Sequence, residues 1–210
     1  FIFALSNIAT KTITFFLVPI YTGVLSTYEY GEVDLTTTVI TIVLPLVTLN
    51  ICEAVMRFAL DKGADKARIT QVGTNVYLIG CVVAILVIPL CGFFENLSSY
   101  SLLIYFYLIT TAGSQLYLYD LRGKELLLQF SIGNILQTLL VAVLNVLFLV
   151  ILKLGVAGYF VACAIASLIT MIYALAIGKS YKTFRLKKMN MLLFKSMAKY
   201  SVVLIPNSFM

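Results

Sequence analysis

Marking only the charged residues along the chain leaves six long silent stretches, at 12–28, 35–52, 69–94, 96–119, 126–152 and 154–178. They run 17, 18, 26, 24, 27 and 25 residues, against the roughly 20 apolar residues that carry a helix across a bilayer. The first is short only because Lys11 interrupts an apolar run that begins at Phe1. Lipid leaves no partner for an open strand edge, so segments of this kind cross as helices. Charged residues are 11% of the 210 and the mean hydropathy is +1.03, whereas a soluble domain carries roughly 25% charge. Too few charges remain to clothe a water-facing surface, which excludes a soluble globular enzyme. With 4 Pro, 12 Gly and 4 Cys, a disordered chain, a collagen and a disulfide scaffold are excluded as well.

The expected fold is therefore an all-α integral membrane protein. Residues 1–178 form a six-helix transmembrane bundle, 179–199 a basic cytoplasmic linker, and 200–210 the start of a seventh span. The chain is expected to be a piece of a longer, transporter-like protein, with no cleaved signal peptide ahead of it.

Lys and Arg accumulate in cytoplasmic loops, and their distribution orients the bundle. Arg57, Lys62, Lys66 and Arg68 lie between spans 2 and 3, and Arg122 and Lys124 between spans 4 and 5. Lys179, Lys182, Arg185, Lys187, Lys188, Lys195 and Lys199 follow span 6. The alternate connections, 26–34, 95–100 and 153–155, hold only Lys153, so the amino end is expected inside. The net charge of +6 then speaks for anionic inner-leaflet lipid as a partner rather than nucleic acid. Within 179–199, Met189, Leu193, Met197 and Tyr200 recur at helical spacing beside the lysines, the pattern of an interfacial helix.

The chain contains no His, which removes the usual general base and metal ligand. Cys52, Cys81, Cys91 and Cys163 have no metal-binding spacing and read as buried free thiols. No cofactor is called for, and no signal selects a proton or a sodium ion as coupling ion.

Polar residues inside the spans supply the candidate site. Lys11 is the one basic residue well inside a span, where a charge costs about 2.5–3.5 kcal/mol. Asn7, Lys11 and Thr14 share a helical face, a cationic stripe suited to an anionic substrate group; snorkelling to cytoplasmic headgroups is the bland alternative. Span 2 carries Asp34, Thr37, Thr38, Thr41, Pro45 and Thr48 on a broad polar face, and span 5 carries Asn134, Gln137 and Asn145. Two such faces suggest a cavity, and interhelical hydrogen bonds would explain them equally well. Thr110, Thr111, Ser114, Gln115 and Tyr117 form a weaker set in span 4. Pro19, Pro45 and Pro89 could bend their spans. Glu53 with Arg57, and Asp120 with Arg122, are expected as ion pairs at the inner ends of spans 2 and 4, either as interfacial pairs or as a cytoplasmic gate. Asp61 and Asp65 make a DxxxD, the spacing with which membrane prenyltransferases hold diphosphate through magnesium. The matching second acidic motif is absent, because 179–199 contains no Asp or Glu.

Several strings, taken in order, resemble the polysaccharide-type flippases of the multidrug/oligosaccharidyl-lipid/polysaccharide exporter superfamily. They are LSNIATKTITFFLVPIYTGVLSTYEYGEVDL, TLNICEAVMRFALDKG, LRGKELLLQFSIGNILQTLL, KLGVAGYFVACAIAS and KYSVVLIPNSF. The resemblance spans the chain and rests mainly on Tyr30-Gly31, Arg57, Arg122, Gly155 with Gly158, and Pro206. It implies the amino-terminal lobe of a two-lobe transporter of roughly 12–14 helices, with alternating access at a central cavity that moves a lipid-linked sugar outward. Lys11 occupies the span 1 region where relatives place cations that meet the lipid diphosphate. Peptidoglycan-precursor flippases carry several arginines there; this chain has Asn7 and Ile13. The resemblance further implies the cytoplasmic membrane of a bacterium or archaeon, no enzyme activity, and a polysaccharide polymerase and glycosyltransferases as pathway partners. A multidrug or cation antiporter of the same superfamily, which would call for an intramembrane carboxylate, is the first alternative, and a prenyltransferase using Asp61 and Asp65 the second.

Overall fold

The computed structural model describes residues 2–85, 100–183 and 190–206, and within this set there is no strand. Eight α-helices follow one another: α1 Ile2–Val24, α2 Thr27–Val47, α3 Ile51–Ala59, α4 Lys66–Ala84, α5 Ser101–Gly123, α6 Leu127–Asn145, α7 Gly155–Ile177 and α8 Met191–Leu204. A π-helical segment, Val146–Ile151, continues α6, and a 3-10 turn, Ser180–Thr183, follows α7. Pro89, Cys91, Arg185, Lys187, Lys188 and Met189 lie outside the described residues; Cys52, Cys81 and Cys163 are free thiols.

Among the described residues, four helical stretches are long and apolar enough to cross a membrane: Thr27–Val47, Ser101–Gly123, Leu127–Ile151 and Gly155–Ile177. α1 is 23 residues long, carries Lys11 near its middle and is on average more apolar than Thr27–Val47. The described part of α4 is 19 residues and opens on Lys66 and Arg68.

Span 2 differs most from expectation. The connection expected over 26–34 is largely helix, because Ser26 and Glu29 form a capping box: the Glu29 amide donates to Ser26 Oγ at 3.3 Å, while Glu29 Oε2 accepts from the Ser26 amide at 2.9 Å. Two otherwise unpaired groups are thereby satisfied and the helix starts at Thr27. At its other end the helix does not run on to Cys52. Pro45 has no amide to give the preceding turn, and Leu49 and Asn50 both take φ of 50°, a left-handed conformation that Asn tolerates better than most residues. The chain restarts as the separate helix α3, which carries Glu53 and Arg57.

The core forms where α5 meets α7, with α3 and α4 against one side of α5 and α6 against both α5 and α7. Leu116, Tyr117, Leu121, Phe160, Ile51 and Val55 are all but fully buried. Small residues let the backbones approach, as is usual between membrane helices. A Cβ at Gly80 on α4 would stand 2.8 Å from the Val47 carbonyl oxygen, backbone that cannot swing aside. Gly80→Ala is expected to lower the thermal midpoint of the purified protein. Gly31→Ala, with no atom within 4 Å of the new Cβ, is expected to hold or slightly raise it, since Gly in a helix costs about 0.5–1 kcal/mol relative to Ala. Equal midpoints for the two variants would refute this account of the α2–α4 contact.

α8 packs on α3 through Leu193, Phe194 and Met197, and Tyr200 meets the edge of Phe58 at 6.0 Å. Met191 and Leu192 remain exposed beside Lys195 and Lys199. The helix continues without interruption across the expected linker–span boundary at 199/200.

Candidate functional site

α1 presents its cationic stripe outward. Asn7, Lys11 and Thr14 are exposed, while Ser6 and Leu17 on other faces are buried. The threonines satisfy their own protons along the helix: Thr10 Oγ1 donates to the Asn7 carbonyl and Thr14 Oγ1 to the Thr10 carbonyl, each at 2.9 Å. Their lone pairs stay available. The ion pairs among the described residues are Arg57–Asp61, Arg68–Asp65 and Lys124–Asp120, and Lys11 belongs to none of them.

Thr41 on α2 is exposed and donates to the Thr37 carbonyl at 2.8 Å. At 1.5 Å per residue, Lys11 and Thr41 each stand roughly 20 Å along their own helix from the turn that joins α1 to α2. The two helices part beyond that turn: α1 lies along α6, whereas α2 goes to α7, α4 and α5. The rest of the polar face of α2 is divided. Thr36, Pro45 and Thr48 are buried; Asp34 and Thr38 are exposed and Thr37 half-buried.

Asn134 and Gln137 fall elsewhere. Gln137 Nε2 donates to Ser167 Oγ on α7 at 3.4 Å, and the Ser167 and Thr111 hydroxyls are 3.3 Å apart, so the three side chains link α5, α6 and α7. Asn134 Nδ2 donates to the Phe130 carbonyl at 3.2 Å, and the buried Asn145 to the Val141 carbonyl at 2.8 Å. Of the two readings of span 5, the structure gives interhelical bonding for Gln137. Thr110 and Ser114 likewise bond to carbonyls of their own helix. The structure thus groups Lys11, Asn7 and Thr14 on one exposed face, leaves Thr41 exposed on a separate helix, and half-buries Asn134 and Gln137, of which Gln137 bonds across to α7.

Both expected gate pairs take other partners. Arg57 Nη1 meets Asp61 rather than Glu53, on an exposed surface. That carboxylate raises the Arg57 pKa above its ordinary value through a charge-assisted hydrogen bond. Glu53 instead faces Tyr119. Arg122 stands over the Phe130 ring at 5.8 Å, and Asp120 is paired with Lys124.

Asp120 is 1% exposed and sits at the centre of a network that the sequence did not reveal. Its Oδ2 accepts from Lys124 Nζ and from Ser180 Oγ, both at 2.6 Å, and its Oδ1 accepts from Thr70 Oγ1 at 2.5 Å. Lys124 Nζ also donates to the Gly178 carbonyl at 2.8 Å, beside the end of α7, where a cation complements the helix dipole. One ion pair therefore ties the start of α4, the end of α5 and the end of α7. The spacing of Asp120 and Lys124, four apart, was the available signal; Thr70 and Ser180 had none.

The DxxxD carboxylates are engaged locally. Asp61 pairs with Arg57, while Asp65 caps α4 by accepting from the Arg68 amide at 3.2 Å and pairs with Arg68 Nε at 3.0 Å. No group of three Asp, Glu, Cys or His placed to hold a metal occurs among the described residues.

The family model described as "Polysaccharide biosynthesis protein" matches residues 1–210. The chain belongs to that family. Curated proteins and solved structures yield no match. Membership of the polysaccharide biosynthesis family, together with the apolar helices, makes this a membrane protein of polysaccharide biosynthesis.

Proposed function

We propose that the protein is a flippase that moves a polyprenyl-diphosphate-linked oligosaccharide or polysaccharide repeat unit from the cytoplasmic to the outer face by alternating access. Beside the family match, the observation that carries this reading is the exposed Lys11 on α1, flanked by the exposed Asn7 and Thr14. A fixed cation at that depth suits a diphosphate: at 4 Å and an effective dielectric of 20, each unit of charge is worth about 4 kcal/mol. A cationic stripe favours anionic cargo over the cationic drugs of a multidrug exporter. Reconstituted into vesicles, the protein is expected to render a fluorescent polyprenyl-diphosphate-linked saccharide accessible to a membrane-impermeant quencher on the opposite side. A rate equal to that of empty vesicles would refute the reading.

In this proposal α1, α2, α4, α5, α6 with its π-helical end, and α7 belong to six spans of one lobe. A second lobe completes the cavity, and the Asp120 network and α8 lie on the cytoplasmic side. Lys195, Lys199 and the exposed Met191 and Leu192 suit anionic inner-leaflet lipid, as an interfacial helix does. A polymerase and glycosyltransferases are the pathway partners. Reporter fusions after Lys66, Lys124 and Lys188 should report cytoplasm, and fusions at Tyr30, Ser98 and Lys153 the outside, because thirteen of the fifteen basic residues fall in the loops assigned inside. Inversion at two of these sites overturns the topology.

A further inference from the structure

A groove of about 510 Å³ runs between α1 and the outer part of α6, and every side chain lining it is apolar. That volume lies within the roughly 300–1,000 Å³ of small-molecule sites. Leu17 supplies a buried floor, while Phe16, Val143 and Ile151 are each more than 60% exposed along the opening. The π-helical segment shapes it. Bonding from i to i+5 adds close to one residue to the turn, as in the Leu152 amide donating to the Leu147 carbonyl at 3.0 Å. Ile151 thereby returns over Val146 and faces α1; in an ordinary α-helix a residue five positions on would point well away.

The occupant follows from chemistry. Apolar lining at membrane depth excludes a sugar, a headgroup or an irregular peptide, whose polar groups would go unpaired. The groove begins at Ile13, two residues or about 3 Å along the axis from Lys11. It lies on the face of α1 turned away from the Lys11 stripe, across a helix about 10–12 Å thick. A bulk phospholipid keeps its headgroup at the interface and engages the groove alone. A lipid whose anionic head stands at Lys11, deep in α1, engages both faces at once, with its chain in the groove. Resting on the flippase reading, we infer that the groove between α1 and the π-helical end of α6 holds the polyprenyl chain of the cargo while α1 separates it from the diphosphate.

The test uses the native-length protein in phosphatidylglycerol and phosphatidylethanolamine vesicles, photolabelled with a polyprenyl phosphate carrying a diazirine in its chain. Label is expected on residues 13–20 and 142–151. Unlabelled polyprenyl phosphate should reduce it about tenfold, the change that 1.4 kcal/mol produces, and an equal amount of phosphatidylglycerol should not. Ala142→Trp, which fills the groove, should cut labelling by a similar factor, whereas Val150→Trp, outside the lining, should leave it intact. Equal labelling by a diazirine phospholipid, or failure of the competitor in the wild-type protein, overturns the inference. The two readings fail separately. A protein that still moves lipid-linked saccharide without competed label sinks the groove alone, and competed label in a protein that moves none sinks the flippase while leaving the chain site standing.

Discussion

Lys11→Ala is expected to abolish or strongly reduce surface polysaccharide while membrane abundance stays near normal. The side chain is exposed on α1 and belongs to none of the ion pairs among the described residues, so its removal strips no buried carboxylate of a partner. The insertion cost of about 2.5–3.5 kcal/mol for a mid-span charge is relieved by the substitution, and folding should hold or improve. A diphosphate brings about two negative charges to this depth, where water screens poorly. Loss of the cation therefore falls on transport. Lys11→Arg keeps the charge and should retain part of the activity; Asn7→Ala and Thr14→Ala, which remove only hydrogen-bonding groups, should have smaller effects. Export at the wild-type rate by Lys11→Ala would reduce the residue to a snorkelling lysine.

Asp120→Ala should produce the largest loss of stability. Truncation removes the acceptor for Lys124, Ser180 and Thr70 together and leaves a mostly buried ammonium held only by the Gly178 carbonyl and the Ser180 hydroxyl. Breaking a buried pair from one side costs about 3–5 kcal/mol, whereas replacing both partners by apolar residues is often neutral. The double variant Asp120→Leu with Lys124→Met should therefore recover much of what Asp120→Ala loses. Thermal midpoints of the detergent-purified variants give the cycle. Arg57→Ala, which opens an exposed pair, serves as the control and should stay near wild type. A midpoint for Asp120→Ala no lower than for Arg57→Ala would show that the network adds nothing.

The limits of one-dimensional reading are visible at particular residues. Proximity in sequence suggests Arg122 for Asp120, two positions away, although residues two apart on a helix point in different directions and Lys124, four away, shares its face. Asn134 and Gln137 looked like one wet face because Asn and Gln are polar wherever they stand. Whether that face meets a cavity or Ser167 depends on where α7 lies. Pro45 suggests a bend within one span, yet the chain breaks four and five residues later, where Leu49 and Asn50 adopt left-handed backbone.

Hydropathy and charge spacing by themselves determined that the chain is helical and membrane-bound, where most helices fall, and that Lys11 is exceptional. Those properties follow from the cost of each residue against lipid or water, a cost that does not depend on which helix is the neighbour. Only the tertiary structure decided the partners of Asp120, the separation of α3 from α2 and the groove against α1. Thr70 and Ser180 are 50 and 60 residues from Asp120, and a contact at that range is set by how the helices pack, as where α4 closes on the Val47 carbonyl at Gly80, rather than by local pattern. The π-helical end of α6 is of the same kind: its six residues, VLFLVI, read as ordinary apolar helix, and the wider turn becomes evident only where packing against α1 and α7 shapes it.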